Sequence, residues 1–299
     1  MVRPVARTAG MGRVALSRTI PPAARCAARQ RSEAMKGKRA IKFAQRLQRG
    51  FVTARPNRFI MNVDVDGVTH RCHCPVTSTI ANLNFNLEGT RVPCLVSAAA
   101  TSPKRKTPFT VEAISLDGGS SWRGINQTAA NRYVERLLDE GMLQERIEAG
   151  AVHRERRLGK SRIDFEVGDR HFVEVKTLVN MGDDAAQIHP NYSREYSKVS
   201  RIGDRLIRHY QELGDALLDP KANVKKATFV LVFLHKASRF QPAIHEVADL
   251  PGVVGERIRA LRATIDRAVA AGVQTWQLNL VINEDGFTLH DFFKLDLFQ

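Results

Sequence analysis

The chain has 299 residues, 43% of them hydrophobic, enough to bury the cores of two modest domains. No stretch approaches the roughly 18–20 uninterrupted apolar residues of a spanning helix, so the reading is a soluble protein with no membrane partner. The net charge of +15 is unevenly placed: thirteen of the 46 Lys and Arg, but one of the 31 acids, lie in residues 1–50, leaving +3 for residues 51–299. Global charge is therefore weak evidence that the folded part binds nucleic acid.

Residues 1–45 read as a basic leader. Arg3, Arg7, Arg13, Arg18, Arg25, Arg29 and Arg31 are interleaved with Ala, Val, Ser and Thr, and no acid precedes Glu33. That composition is the pattern of an organelle transit peptide, which would send the chain to a mitochondrial or other organelle matrix. The alternative is a disordered basic arm that contacts nucleic acid, in a cytoplasmic protein. The sparse cysteines, Cys72, Cys74 and Cys94 beyond the leader, point to a reducing compartment and no disulfide framework. Cys72-His73-Cys74 lacks the gap of a zinc knuckle, and alternation puts His73 on the opposite face, so packing is the expected role of these thiols.

Residues 58–75 predict a hairpin: Phe59, Met61, Val63 and Val65 alternate up to the turn signal Asp66-Gly67, and Val68 to Cys74 return. Strand-like pieces at Arg91–Val96 and Thr110–Leu116, with Pro, Gly and Ser clusters between them, suggest a small, partly open β-barrel over residues 46–125. The period then changes. Thr128–Met142 is helical, followed by strand candidates Val152–Leu158, Arg162–Val167 and His171–Leu178 and a polar stretch from Asn180 to Ser200. A helix over Ile202–Leu218, an apolar strand at Thr228–Leu234, a helix near Gly255–Ala271 and strand-like terminal segments complete an α/β domain spanning 126–299. Trp276 is expected in its core, and edge pairing through Phe287–Leu297 would support a homodimer.

The chemistry is concentrated in Ser161–Lys176. A hairpin centred near Asp169 places Asp164 opposite Glu174, and cross-strand partners lie about 4.5–5.5 Å apart. Lys176, two residues beyond Glu174, shares its face. Two carboxylates suffice to dock Mg²⁺, which keeps several waters, and the metal can activate one of them. A neighbouring lysine can orient that water or stabilise charge developing on a phosphate. On spacing alone the same residues also describe an exposed strand face whose Asp, Glu and Lys pair with one another.

Dispersed residues now narrow the choice. Arg55-Pro56-Asn57-Arg58-Phe59, His73-Cys74-Pro75, Lys104-Arg105-Lys106 with Pro108, Asn126 and Ala130-Asn131-Arg132 come in order. Glu155 with Gly159, Ser161-Arg162-Ile163-Asp164-Phe165, Val173-Glu174-Val175-Lys176 and Arg239-Phe240-Gln241-Pro242-Ala243 follow. Over about 53–245 the chain resembles the sugar fermentation stimulation protein A (SfsA) family of nucleic-acid-binding proteins. The resemblance implies an α+β two-domain chain: an N-terminal OB-like β-barrel, then an α/β PD-(D/E)XK nuclease-like domain. It implies Asp164 and Glu174 as ligands of Mg²⁺ or Mn²⁺, and Lys176 as the third catalytic residue. Glu155 matches a further acidic position. A helix carboxylate of the family falls at Arg136 here, so Glu135 is its nearest substitute, and Arg205 is the candidate for a family lysine. In this context Arg55, Arg58, Lys104, Arg105, Lys106, Arg132 and Arg162, with Arg123 beside them, form the expected phosphate-contacting set. The implied function is DNA or RNA binding with a metal-dependent phosphodiester-cleaving centre. The alternative is a catalytically idle binding protein acting as a regulator or organelle ribonucleoprotein component.

Overall fold

The computed structural model describes residues 39–76, 80, 83–99, 106–178, 206–240 and 253–297. The leader through Lys38, Lys104, Arg105, the Asn180–Ser200 stretch, Arg205 and Gln241-Pro242-Ala243 lie outside the described residues. Thirteen strands and three helices build two sheets within that body. Strand β1 (Ala40–Lys42) comes first, followed by β2 (Gln48–Asn57), β3 (Ile60–Val65), β4 (Val68–His73), β5 (Val92–Ala98), β6 (Phe109–Ile114) and the short β7 (Arg123–Gly124).

Strands β2 to β6 form the five-strand barrel of OB type. The order is β4-β3-β2-β5-β6-β7, and a parallel bridge between His73 and Thr110 joins β4 to β6. The Asp66-Gly67 turn has φ of 52° and 81°, the double positive φ of a type I′ two-residue hairpin loop. Alternation works as expected along β3, where Met61, Val63 and Val65 enter the barrel core with Val52, Val96, Val111 and Ile114. Cys72, Cys74 and Cys94 are buried in that core as free thiols, and burial pushes Cys72 up to about 11 and Cys94 up to about 12. Phe59 departs from the expectation: it stands at the turn before β3, 46% exposed, with the Arg58 guanidinium 4.7 Å from its ring centre.

The second unit opens with helix α1 (Gln127–Asp139). Asn126 caps it by accepting the Ala129 amide, and Ala129, Ala130, Tyr133, Val134, Leu137 and Leu138 form its buried stripe. The helix stops short of Met142 because Gly141 adopts φ +67°, with Met142 N–H bonded to Leu137 O and Gly141 N–H to Leu138 O. Strands β8 (Val152–Leu158), β9 (Ser161–Val167) and β10 (His171–Thr177) follow, then helix α2 over 206–218 and strand β11 (Lys226–Phe233). Helix α3 (Val253–Ala270) leads to β12 (Gln274–Ile282) and β13 (Gly286–Lys294).

These strands form a seven-stranded sheet, β1-β13-β12-β11-β10-β9-β8. Its centre, β10-β11-β12, is parallel, and β11 is buried along its whole length after Lys226, as expected where both faces are covered. One core joins α1 to Val173, Val175, Val230 and Leu280; the other joins Tyr210, Leu213 and Ile265 to Phe172, Phe229 and Leu231. Trp276 is 7% exposed and packs on Phe292. Ala40–Lys42, assigned by sequence to the leader, instead pair antiparallel with Gly286–Thr288 of β13 and bury Ile41. This pairing occupies part of the edge that the homodimer expectation needed. No helix among the described residues is long and apolar enough to cross a membrane.

Candidate metal-dependent nuclease site

The β9–β10 hairpin turns at Gly168-Asp169-Arg170, with Val167 opposite His171 and Phe165 opposite Val173, the register centred on Asp169. The ladder ends there, one residue pair before Asp164 and Glu174. Alternation also breaks at this level: Phe165 and Val167 belong to the core under α1, whereas Ile163 belongs to the core under α2 and α3. Across the other edge, Glu155 has φ +50° and drops out of the β8–β9 register between Arg154↔Phe165 and Arg156↔Ile163. The opened ladder frees backbone donors for side chains. Asp164 Oδ2 accepts the Val175 N–H at 2.8 Å, and the Asp164 N–H points to Glu174 Oε2 at 3.4 Å.

Asp164, Glu174 and Lys176 are brought together. Lys176 Nζ donates to Glu174 Oε1, and so does His209 Nδ1 from α2. Asn131 Nδ2 of α1 donates to Asp164 Oδ1 at 2.8 Å. The two carboxylates respond differently to this setting. Burial first, and the Glu174 charge second, push Asp164 up to about 6. Burial also works against ionisation of Glu174, but the His209 hydrogen bond and the Lys176 charge outweigh it and hold that carboxyl below its ordinary value. Glu174 is 1% exposed, His209 7%, and the Lys176 side chain 27%, so the lysine forms the open side of the cluster.

Two expected partners stand elsewhere. Glu135 pairs with Arg154 at 3.2 Å and Glu155 with Arg162 at 3.0 Å, both away from the carboxylate pair. Asn131 lies one helical turn before Glu135 on the same face of α1, and it is the turn that meets Asp164. Asn131 meets Asp164 with an amide, whereas the family pattern leads one to expect a helix carboxylate. His209, from α2, carries no motif of its own. Its signal was a polar residue on the buried stripe of α2, in register with Tyr210, Leu213 and Ala216.

The expected phosphate-contacting residues are scattered. Arg55 is half-buried and donates through Nη2 to Val76 O at 2.6 Å and Arg58 O at 3.2 Å, so it braces the barrel loop. Arg123 is 9% exposed, at the barrel's end. Arg58, Lys106, Arg132 and Arg162 are exposed. Among the described residues no group of three or more His, Cys, Asp or Glu is arranged to hold a metal ion, so any ion would rest on the carboxylate pair and water.

Comparison with known proteins agrees with this layout. The family model described as the SfsA N-terminal OB domain matches residues 54–125, and that of the sugar fermentation stimulation protein RE domain matches residues 128–286. A sugar fermentation stimulation protein homolog of Ruminiclostridium cellulolyticum is 34% identical over 176 residues, 58% of this chain and 70% of that protein. The homolog of Alcanivorax borkumensis is 26% identical over 262 residues, 86% of this chain and 100% of its own length. The solved structure of Pyrococcus furiosus SfsA in complex with Ca²⁺ matches with a TM-score of 0.58 and 21% identity, over 87% of this chain and 99% of that one. At that identity the match speaks for the fold. The OB domain, in turn, suggests nucleic-acid binding. With both domain models matched in order over 54–286, the chain belongs to the sugar fermentation stimulation protein (SfsA) family.

Proposed function

We propose that this protein binds DNA or RNA and hydrolyses its phosphodiester bonds with Mg²⁺ or Mn²⁺ held by Asp164 and Glu174. The observation that carries the reading is geometric: the buried Glu174 and half-buried Asp164 carboxylates meet at the break in the β9–β10 ladder, where the Asp164 N–H points to Glu174 Oε2. Burial with the neighbouring charge raises Asp164 to about 6. A divalent cation is the natural neutraliser of such a pair. The donor set fits a hydrated ion. Glu174 Oε1 is used twice, but Asp164 Oδ1, Asp164 Oδ2 and Glu174 Oε2 each accept one described hydrogen bond and keep a second lone pair. A family relative whose structure is in complex with Ca²⁺, another cation that takes oxygen ligands, adds support.

The bound metal would supply Lewis acidity and a more acidic water. The chain's own residues do the rest. Asn131 and the Val175 amide fix the Asp164 carboxylate, and His209 fixes Glu174 from below the sheet. Lys176, tethered to Glu174 and partly open to solvent, offers N–H donors to a phosphate oxygen or to the attacking water.

Purified protein should cut DNA or RNA with Mg²⁺ or Mn²⁺ and not with chelator. Asp164→Asn and Lys176→Ala should each lower the rate by about 10²-fold or more while oligonucleotide binding persists. Equal rates for the wild type and both variants would overturn the assignment. One observation favours the alternative, binding without cleavage: all four carboxylate oxygens already have a partner in the chain. Under that reading Mn²⁺ neither binds at the pair nor stimulates cutting.

A further inference from the structure

Positive charge in the described part of the fold is dense in one hairpin. Residues 152–162 carry Arg154, Arg156, Arg157, Lys160 and Arg162 against Glu155 alone, a net +4. Residues 51–299 as a whole carry +3, so everything outside this hairpin nets −1. The hairpin is also the most open part of the sheet. β8 is the outer strand, paired only with β9 among the described residues, and His153 through Arg157 are all exposed, so both of its faces meet solvent.

Several surface cations sit beside acids, Lys225 by Asp169 and Lys226 by Glu148 among them. Here Arg154 is matched by Glu135 and Arg156 by Glu166, at 3.2 and 2.8 Å. Among the described residues Arg157 and Lys160 have no carboxylate within ion-pair distance. Arg157 also stands directly opposite Arg162 in the β8–β9 register, and like charges in that relation are destabilising. Arg162 reaches only Glu155, with side chains 71% and 64% exposed, a contact that a phosphate could replace at little loss. A charged row does guard an edge strand against unwanted pairing. Either sign would serve that purpose, however, and it gains nothing from arginine facing arginine. The surrounding surface argues against an anionic membrane: no large exposed hydrophobic residue occurs within 152–162, and Leu158 is buried. The position is telling, because Arg162 precedes Asp164 by two residues on β9.

We propose that the end of the β8–β9 hairpin is a phosphate-binding ribbon, with Arg157, Lys160 and Arg162 holding the backbone of the nucleic-acid strand that enters the Asp164–Glu174 site. The link to cleavage rests on the nuclease reading above; phosphate binding by the ribbon does not.

The test uses the full chain, with labelled single-stranded and duplex oligonucleotides titrated in chelator at several salt concentrations. Arg157→Ser with Lys160→Ser should weaken binding and flatten the slope of log affinity against log salt by about 1.4–1.8, two contacts' worth. Lys236→Ser with Lys294→Ser removes the same charge elsewhere on the surface and should leave the slope unchanged. Unchanged thermal melting certifies the fold of both variants, and Arg157→Ser alone, with about half the slope change, serves if the pair does not fold. Equal losses in the hairpin and control variants, or none in either, overturn the proposal. So does hairpin-dependent binding to phosphatidylserine vesicles without hairpin-dependent binding to oligonucleotides. Hairpin-dependent binding by a protein that cuts nothing would overturn the nuclease reading and leave the ribbon standing.

Discussion

Asp164 and Glu174 lie side by side and suffer the same burial, yet their charges are treated in opposite ways. Glu174 receives the Lys176 ammonium and the His209 ring N–H, whereas Asp164 receives a backbone N–H and the neutral Asn131 amide. The neutral donors orient Asp164 without fully stabilising its charge, consistent with the proposed role as a metal ligand. Another residue of β10 carries a testable pH response. His171 donates or accepts through Nε2 to Thr228 Oγ1 at 2.8 Å, its Nδ1 is buried without a partner, and burial holds its imidazole down at about 4. The unfolded chain takes up that proton near pH 6.5, so His171's contribution is present above that pH and lost as the pH falls toward 4. Asp164 acts in the other direction, because the fold binds its proton more tightly: stability rises as pH falls through about 6. Urea unfolding at pH 7 and pH 4.5 separates the two. His171→Gln should lose less stability on acidification than the wild type, by about 2 kcal/mol. An identical acid response would refute the buried neutral imidazole.

Among the elements, α1 depends on one side chain that serves both domains. Asn126 caps the helix through Oδ1, and its Nδ2 donates at 2.7 Å to Glu112 of the barrel, a residue 7% exposed that also accepts the Ser97 hydroxyl at 2.6 Å. Losing the amide removes a cap and strips a donor from a buried carboxylate. Asn126→Ala should therefore destabilise the protein by about 2–4 kcal/mol in chemical denaturation. Asn126→Asp keeps the cap but sets two carboxylates together, and at pH 7 it should do comparable harm. If Asn126→Asp unfolds like the wild type, the bridge to Glu112 contributes nothing. The helix itself was legible from its apolar spacing and its stop at Gly141. The strand β2 was not: Gln48–Asn57 holds Arg, Gly and Pro and buries only Gly50 and Val52, so no alternation marks it. Its place in the barrel comes from its neighbours β3 and β5, which supply its pairing on both sides.

Across the whole molecule, the chain stitches its two halves together at both ends of the barrel. Before the barrel, β1 crosses to the far edge of the larger sheet, where Ile41 is 3% exposed and Phe43 packs against Tyr133 and Phe287. After the barrel, Gly124 donates to Leu234 O at 2.8 Å, and a methyl group on it would meet Leu234 and Ile282 side-chain atoms at 2.5 and 2.6 Å. Glycine is needed there for closeness, since its φ is ordinary. Ile41→Ala should cost about 2–5 kcal/mol, although residue 41 belongs by composition to a basic leader. A neutral result in thermal or urea unfolding would mean that β1 is dispensable. Charge is likewise a property of the whole: a nearly neutral folded part conceals one strongly basic hairpin.

The sequence by itself determined the family, the element types outside β1 and β2, and the hairpin centred on Asp169 that carries Asp164, Glu174 and Lys176 on neighbouring strands. Those depend on local periodicity, on turn residues such as Asp66-Gly67 and on motif order, which act over short stretches of chain. Only the tertiary structure decided that Asn131 and His209 complete the site, that Glu135 and Glu155 turn instead to arginines, and that Ala40–Lys42 belong to the second sheet. Each of these joins segments far apart in the chain, and their contact depends on how helices and strand edges dock, which no spacing within a segment encodes.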